Sequence, residues 1–373
     1  MLAVGNWVAP SVIAGLGPRI SMVIGGITYL IYIASFIAPV TWSLYVVSFI
    51  MGLGASIIWT AQGNYLTLNS DETTMARNSG VFWALLQCSL LIGNVYVYEA
   101  FEGKTRIDHY TREMVSIVLS VICAIGVVIL LLLRPAVSAD GNVAINRPIG
   151  PIKAFTEAVR LLTRKEMLLL CVTFFYTGFE LSFWSGVYSS SIGATLSIAD
   201  KPKQLVGISG VCIGVGEIVG GLLFGLLGKK TVIWGRTPIV LLGFIIHIIT
   251  FICIFINIPN AASLADTTDK AIINSNVYLA LACSCLLGFG DACYNTQVYA
   301  ALGTIFSDES APAFAIFKFT QSIAACIAFI YAIYIGLHAQ LIILVIFAIL
   351  GTLTYWATER IVNRRKRIAV SDE

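Results

Sequence analysis

Apolar residues in this chain come in blocks about 20 residues long, and that feature alone decides the fold class. A helix rises about 1.5 Å per residue, so about 20 residues cross the ~30 Å of hydrocarbon in a bilayer. Such blocks cover 20–38, 42–68, 78–101, 114–133, 166–191, 205–228, 237–256, 277–306, 313–337 and 339–358. An eleventh, 1–16, is too short to cross unaided. Inside hydrocarbon every backbone N–H and C=O must find a partner within the segment, which selects helix. The expected class is therefore all-α, a polytopic membrane protein. Composition agrees: of 373 residues, 58% are hydrophobic and 12% charged. Soluble domains run near 45–50% and ~25%. So few charges cannot cover a soluble surface, which excludes a cytosolic enzyme and a disordered chain. A net charge of +3 gives no footprint for nucleic acid.

The nine cysteines all fall inside apolar blocks, so no secreted disulfide framework is expected. The one polar break, 134–165, separates an N-terminal helical part (1–133) from a C-terminal one (166–358), and a basic tail (359–373) follows. Within the break, Ile152 to Lys165 reads as an amphipathic helix. Phe155, Val159 and Leu162 share one face; Lys153, Glu157, Arg160 and Arg164 occupy others. Such a helix lies on the membrane surface. Alternate loops, the break and tail included, carry 16 Lys+Arg, against 6 on the opposite set. The positive-inside rule then puts the break and the C-terminus in the cytoplasm and Met1 outside.

An internal repeat accounts for that placement of Met1. Gly52-Leu-Gly54, Trp59-Thr-Ala-Gln62, Ser70-Asp71-Glu72 and Gln87 reappear as Gly288-Phe-Gly290, Tyr294-Asn-Thr-Gln297, Ser307-Asp308-Glu309 and Gln321, at offsets of 234–237. Small-residue helix packing explains the glycines but not the repeated Ser-Asp-Glu loop. By this register the counterpart of 166–191 precedes Met1. The expectation is a six-plus-six protein whose first helix is missing from this chain, leaving a form unstable or inactive in transport.

Six plus six helices around a cytoplasmic linker is the layout of the major facilitator superfamily. Gly225-Leu-Leu-Gly228-Lys229-Lys230, ending in Gly235-Arg236, resembles its glycine/basic loop; the first-half counterpart, Gly17-Pro18-Arg19, is degenerate. Four further strings are more specific: Trp59-Thr-Ala-Gln-Gly-Asn64, Asn69-Ser-Asp-Glu72, Arg77-Asn-Ser-Gly-Val-Phe-Trp-Ala-Leu-Leu-Gln87 and Ser310-Ala-Pro-Ala-Phe-Ala-Ile-Phe-Lys-Phe319. With them the chain resembles the Unc-ninety-three-like family over nearly its whole length. The resemblance implies a transporter-shaped fold, and relatives that regulate potassium channels or chaperone receptors.

Four charges sit inside spans, each costing roughly 2.5–3.5 kcal/mol on insertion scales. Glu217 shares a helical face with Gly210, Gly214, Gly221, Gly225 and Gly228, so it faces protein. It reads either as a protonated packing glutamate or as a proton-coupling site. Glu180 lies on a stripe with Thr173, Thr177, Trp184, Tyr188 and Ser191; Asp291 shares a face with Ser284, Gly288, Asn295 and Tyr299. These polar stripes suit a water-filled cavity, and the resemblance places both helices at the superfamily's central cavity. The alternative is interhelical hydrogen bonding. Lys318, near its span end, either snorkels or pairs with Asp308 or Glu309, and Arg77 with Asp71 or Glu72, as cytoplasmic gate pairs. Gln62 shares a face with Ser48, Gly52, Ala55 and Trp59, and Gln87 with Gly80, Trp83, Asn94 and Tyr98. His247 reads as a satisfied core histidine. Arg364-Arg-Lys-Arg367 reads as a positive-inside anchor that also attracts anionic lipid.

No Walker loop, nucleophile elbow, kinase signature or paired metal ligands appear, so neither an enzyme nor a cofactor or metal is expected. Two functions follow: a secondary transporter of a small solute by alternating access, proton-coupled or not, and a non-transporting regulatory or trafficking subunit of a channel or receptor. The expected partners are the bilayer, and a solute or such a channel or receptor.

Overall fold

The computed structural model describes residues 1–101, 109–135, 151–226 and 235–371. The elements are α1 Leu2–Gly5, α2 Ala9–Ala34, α3 Thr41–Leu68, α4 Met75–Phe101, α5 His109–Leu132, α6 Pro151–Leu162 and α7 Lys165–Ser182. A π-helical turn, Phe183–Tyr188, leads into α8 Ser189–Ala194. Then come α9 Leu205–Leu226, α10 Thr237–Asn257, α11 Val277–Ile305, α12 Ser310–Ala332 and α13 Leu337–Ser371. Among the described residues there is no strand beyond one isolated bridge, Thr195 with Thr267, and ten helices are long and apolar enough to cross a membrane.

Span boundaries follow the hydropathy blocks closely. The expected break at 17–19 is a sharp kink: Gly17 has φ 75°, ψ 160°, open to glycine without a Cβ clash, and Pro18 follows with no N–H to give the ladder. The short first block therefore runs into the second across one non-helical residue. Helix α6 forms where amphipathicity predicts it, and Phe155 and Val159 are exposed while Ala158 and Leu161 are buried. The basic tail, as far as Ser371, is the continuation of α13. The loop Gly228-Lys229-Lys230 and most of the first part of the central break fall outside the described residues.

Packing groups the residues into two compact units. One comprises Met1–Asp71, Glu99–Met167 and Leu302–Ser322, the other Glu72–Tyr98, Leu168–Ala301 and Ile323–Glu373. In the first, α2 packs on α3 and α5. Gly25 permits the approach to α3: a Cβ there would lie 2.7 Å from the Gly54 carbonyl. Ile13, Met22, Ala61 and Ala311 form its apolar centre, and Trp7 packs on Phe155 and Phe319. In the second unit the same device recurs, since a Cβ on Gly243 would lie 3.2 Å from the Gly290 carbonyl. Gly25 with Gly54 and Gly243 with Gly290 are thus parallel contacts, at the second glycine of each repeated Gly-X-Gly string. These units differ in extent from the divisions at 1–133 and 166–358, because helix 75–98 packs in the second unit.

Candidate functional site

The site grows from the glycines of α9. One face, Gly210, Gly221 and Gly225, meets α4: a Cβ on Gly80 would lie 2.4 Å from Gly225 N and 2.6 Å from Gly221 O. A second face, Gly216 and Gly220, meets α11, with a Cβ on Gly216 only 2.0 Å from Cys285 O. Glu217 stands between these faces and is fully buried. Along α4 the face Gly80, Trp83, Gln87, Asn94 mates with the α9 stripe in register. The Trp83 indole N–H donates to Glu217 Oε2 at 2.5 Å, Gln87 reaches the same carboxyl, and Asn94 packs on Gly210. We expect Gly80→Leu to separate α4 from α9 and to cost about 3 kcal/mol, the upper end of overpacking. Thermal unfolding in micelles checks this, and an unchanged midpoint contradicts it.

On α11, glycines admit the neighbours that complete the site. A Cβ on Gly288 would lie 2.1 Å from Ile213 O and 3.1 Å from Glu217 Cγ; one on Gly290 would lie 2.2 Å from His247 Nε2. Asp291 follows directly. It lies within hydrogen-bonding reach of both Glu180 from α7 and Glu217 from α9, and Asn295 donates to its Oδ1 at 2.8 Å. The Tyr176 hydroxyl meets His247 Nδ1 at 2.5 Å, and His247 Nε2 sits 3.2 Å from Leu287 O and 3.5 Å from Glu180 Oε1. A carbonyl only accepts, so Nε2 carries a proton, while Nδ1 and the tyrosine hydroxyl form a hydrogen bond in which either can donate. Tyr294 stacks on the same ring.

Three acids therefore meet at one point. The sequence left Glu180 and Asp291 open between a water-filled cavity and interhelical hydrogen bonding, and Glu217 between packing and proton coupling; the structure brings the three together away from open water. Glu180 and Asp291 are each 1% exposed, packed against Glu217 rather than bordering open water. The second glycine face of α9 is the physical reason, because it brings α11 within backbone contact. Glu180 Oε1, Glu217 Oε1 and Asp291 Oδ2 have no N–H or hydroxyl donor. Each is on a carboxyl group that reaches another. Three carboxyl groups thus meet at one buried point, where full charge is costly unless it is paired. Among the described residues no group of histidine, cysteine and acidic side chains is arranged to hold a metal ion. Trp83→Phe keeps the packing on Tyr299, ring centroids 5.8 Å apart, and removes only the donor to Glu217. We expect a loss of about 1–3 kcal/mol from that orphaned acceptor, read by thermal unfolding; an unchanged stability contradicts the pairing.

A family model described as ion channel regulatory protein UNC-93 matches residues 1–356. The chain belongs to the UNC-93 family. It is 43% identical over 385 residues to UNC93-like protein MFSD11 of Xenopus tropicalis, covering 98% of this chain and 86% of that protein. Two solved structures show the fold of this UNC-93 family member. The major facilitator superfamily proton:xylose symporter XylE superposes with a TM-score of 0.67 at 11% identity, over 95% of this chain and 83% of that one. The human organic anion transporter MFSD10 superposes with a TM-score of 0.65 at 12% identity, over 96% and 81%. The protein is an integral multi-pass membrane protein with the major facilitator superfamily fold.

The other residues singled out in this UNC-93 family sequence lie elsewhere. In the first unit, Glu309 is held by Arg164 at 2.7 Å, while Lys318 donates to Gln321 at 3.0 Å and sits over the Phe317 and Trp59 rings. Gln62 is half-buried, next to Gly63, whose missing Cβ leaves room for the Phe314 ring. Asp71 and Asp308 are exposed there, and in the second unit Glu72 and Arg77 are exposed, Arg77 bonded to Asn78 at 3.2 Å. One member of the acid site carried a signal that sequence reading left unused: Tyr176 is one turn before Glu180; Trp83 and His247 were read on their own helices without their partners in the site. Also unread was a buried pair: Arg236, at the start of α10, binds Glu359 of α13 at 2.8 Å.

Proposed function

We propose that this protein is a secondary transporter of a small solute, working by alternating access, in which the Glu180–Asp291–Glu217 cluster takes up and releases protons. The observation that carries the reading is the meeting of three buried carboxyl groups at one point, flanked by a buried histidine. Packing alone needs one polar contact per helix pair, and an indole, amides and hydroxyls already supply it. A helix carrying Glu180 that turns π-helical three residues later has a place where it can bend. The solved relatives in fold include a symporter that couples protons to a sugar, which supports the same assignment here. The loop charges support a cytoplasmic C-terminus.

A second reading has its own support. The family description is that of a channel regulator, and the acids lie buried rather than on an open path. A non-transporting subunit of an ion channel or receptor fits both. Uptake of pooled labelled solutes into vesicles holding the purified protein, with and without a pH gradient, separates the readings. The transporter reading expects gradient-dependent accumulation. No accumulation, together with stoichiometric recovery of a channel or receptor on affinity purification, establishes the subunit instead.

A further inference from the structure

The end of α13 carries a feature that the acid cluster does not use. The helix is 35 residues long, about 52 Å, well beyond the ~30 Å of hydrocarbon. Trp356 is 40% exposed near the point where apolar residues give way to charge, the level at which indoles settle among headgroups. The Arg360 guanidinium stacks 3.9 Å from its ring. Arg360, Arg364 and Arg367 follow at steps of four and three, so they share a face. That face opens on a cavity of about 640 Å³ lined by Arg360, Ile361, Asn363, Arg364 and Arg367. The neighbouring acid, Glu359, is already bonded to Arg236 and points elsewhere.

We propose that this cavity is a binding site for a lipid headgroup carrying more than one phosphate, of the phosphoinositide kind. Guanidinium groups present planar forks that match phosphate oxygens two at a time, and three in one cavity exceed what a single phosphodiester requires. The chain delivers them at headgroup depth, immediately past a span and beside an interfacial indole, which favours a lipid over a soluble anion. An orienting charge would need only exposed lysine or arginine anywhere along the tail; here three arginines converge on one concave face.

The test uses the full chain in nanodiscs of three compositions: neutral lipid, neutral lipid with phosphatidylserine, and neutral lipid with phosphatidylinositol bisphosphate at matched total charge. Thermal stability and retained lipid after purification are read for the unaltered protein, for the triple variant R360Q/R364Q/R367Q, and for R365Q as a change of equal kind on another face. The site predicts protection by the bisphosphate lipid well above that by phosphatidylserine. It predicts about 100-fold weaker retention in the triple variant, from ~1 kcal/mol per arginine, and little change in R365Q. Equal protection by both anionic lipids overturns it, as does an equal loss in R365Q. Binding of free inositol trisphosphate as tight as that of the lipid also overturns it, in favour of a soluble-anion site. All four arginines are exposed, so folding of the variants is not at issue.

Discussion

Replacing Arg236 with glutamine destabilises the protein by about 3 kcal/mol, close to a 100-fold shift toward the unfolded state. Arg236 Nη2 lies 2.8 Å from Glu359 Oε1, and its Nε donates to the same oxygen at 2.8 Å. Its Nη1 donates to Ala300 O at 3.1 Å, so one side chain ties the start of α10 to α11 and α13. The arginine side chain is 16% exposed and the glutamate 6%, which leaves little water to take over when the partner goes. Removing the cation strands a buried carboxylate, and that stranding, rather than the loss of attraction, dominates the cost. Glu359→Gln should cost less, because the guanidinium keeps the Ala300 carbonyl and is the more exposed partner. The double variant R236Q/E359Q should then be no worse than E359Q alone, a coupling of about 3 kcal/mol or more in a double-mutant cycle. Additive losses, or an R236Q variant as stable as the parent, contradict the account.

That pair also marks where sequence reasoning ends. Glu359 is followed by a run of basic residues, and read along the chain it belongs to their tail; its partner is 123 positions away. Only folding makes it a buried acid. The fold class was legible because the bilayer imposes span length on the sequence directly: Thr41–Leu68 through Ser310–Ala332 follow the apolar blocks within about five residues, while Ala9–Ala34 joins the first two blocks and Leu337–Ser371 runs past the last. The interruption at 17–19 was legible only as a loop between two blocks; that it is a kink within one helix, at a glycine before a proline, was not. Helix faces were legible too: Gly80, Trp83, Gln87 and Asn94 on one helix, and Gly210, Gly221 and Gly225 on another, each follow from periodicity. Their mating in register did not, since periodicity fixes a face and says nothing about which helix it meets. Glu217 shows the consequence. Its stripe predicted a packed seam, but Gly216, one residue before it, and Gly220, three after it, make a second seam, and the meeting with Asp291 depends on both.

The second large effect concerns the acid cluster. Asp291 is its hub, the one carboxyl that reaches both others, with Asn295 fixing its orientation. Asparagine there preserves shape and a hydrogen-bonding amide but cannot take up or release a proton. Coupling should be lost while the bundle stays folded, since the substituted group removes a buried acid rather than exposing one. Glu180→Gln should act in the same direction if the proposed coupling holds: glutamine retains the neighbours Trp184 and His247 but cannot take up or release a proton. A structural role makes a different prediction, namely lowered stability with any remaining transport still driven by the gradient.

The measurement that tests this most directly is the accumulation ratio of a transported solute in vesicles, with and without an imposed pH gradient, for the parent protein and for Asp291→Asn. The account predicts that the gradient drives accumulation by the parent and none by the variant, which still exchanges solute across the membrane without a gradient. Equal gradient-driven accumulation by both proteins would show that the carboxyl cluster only holds helices together.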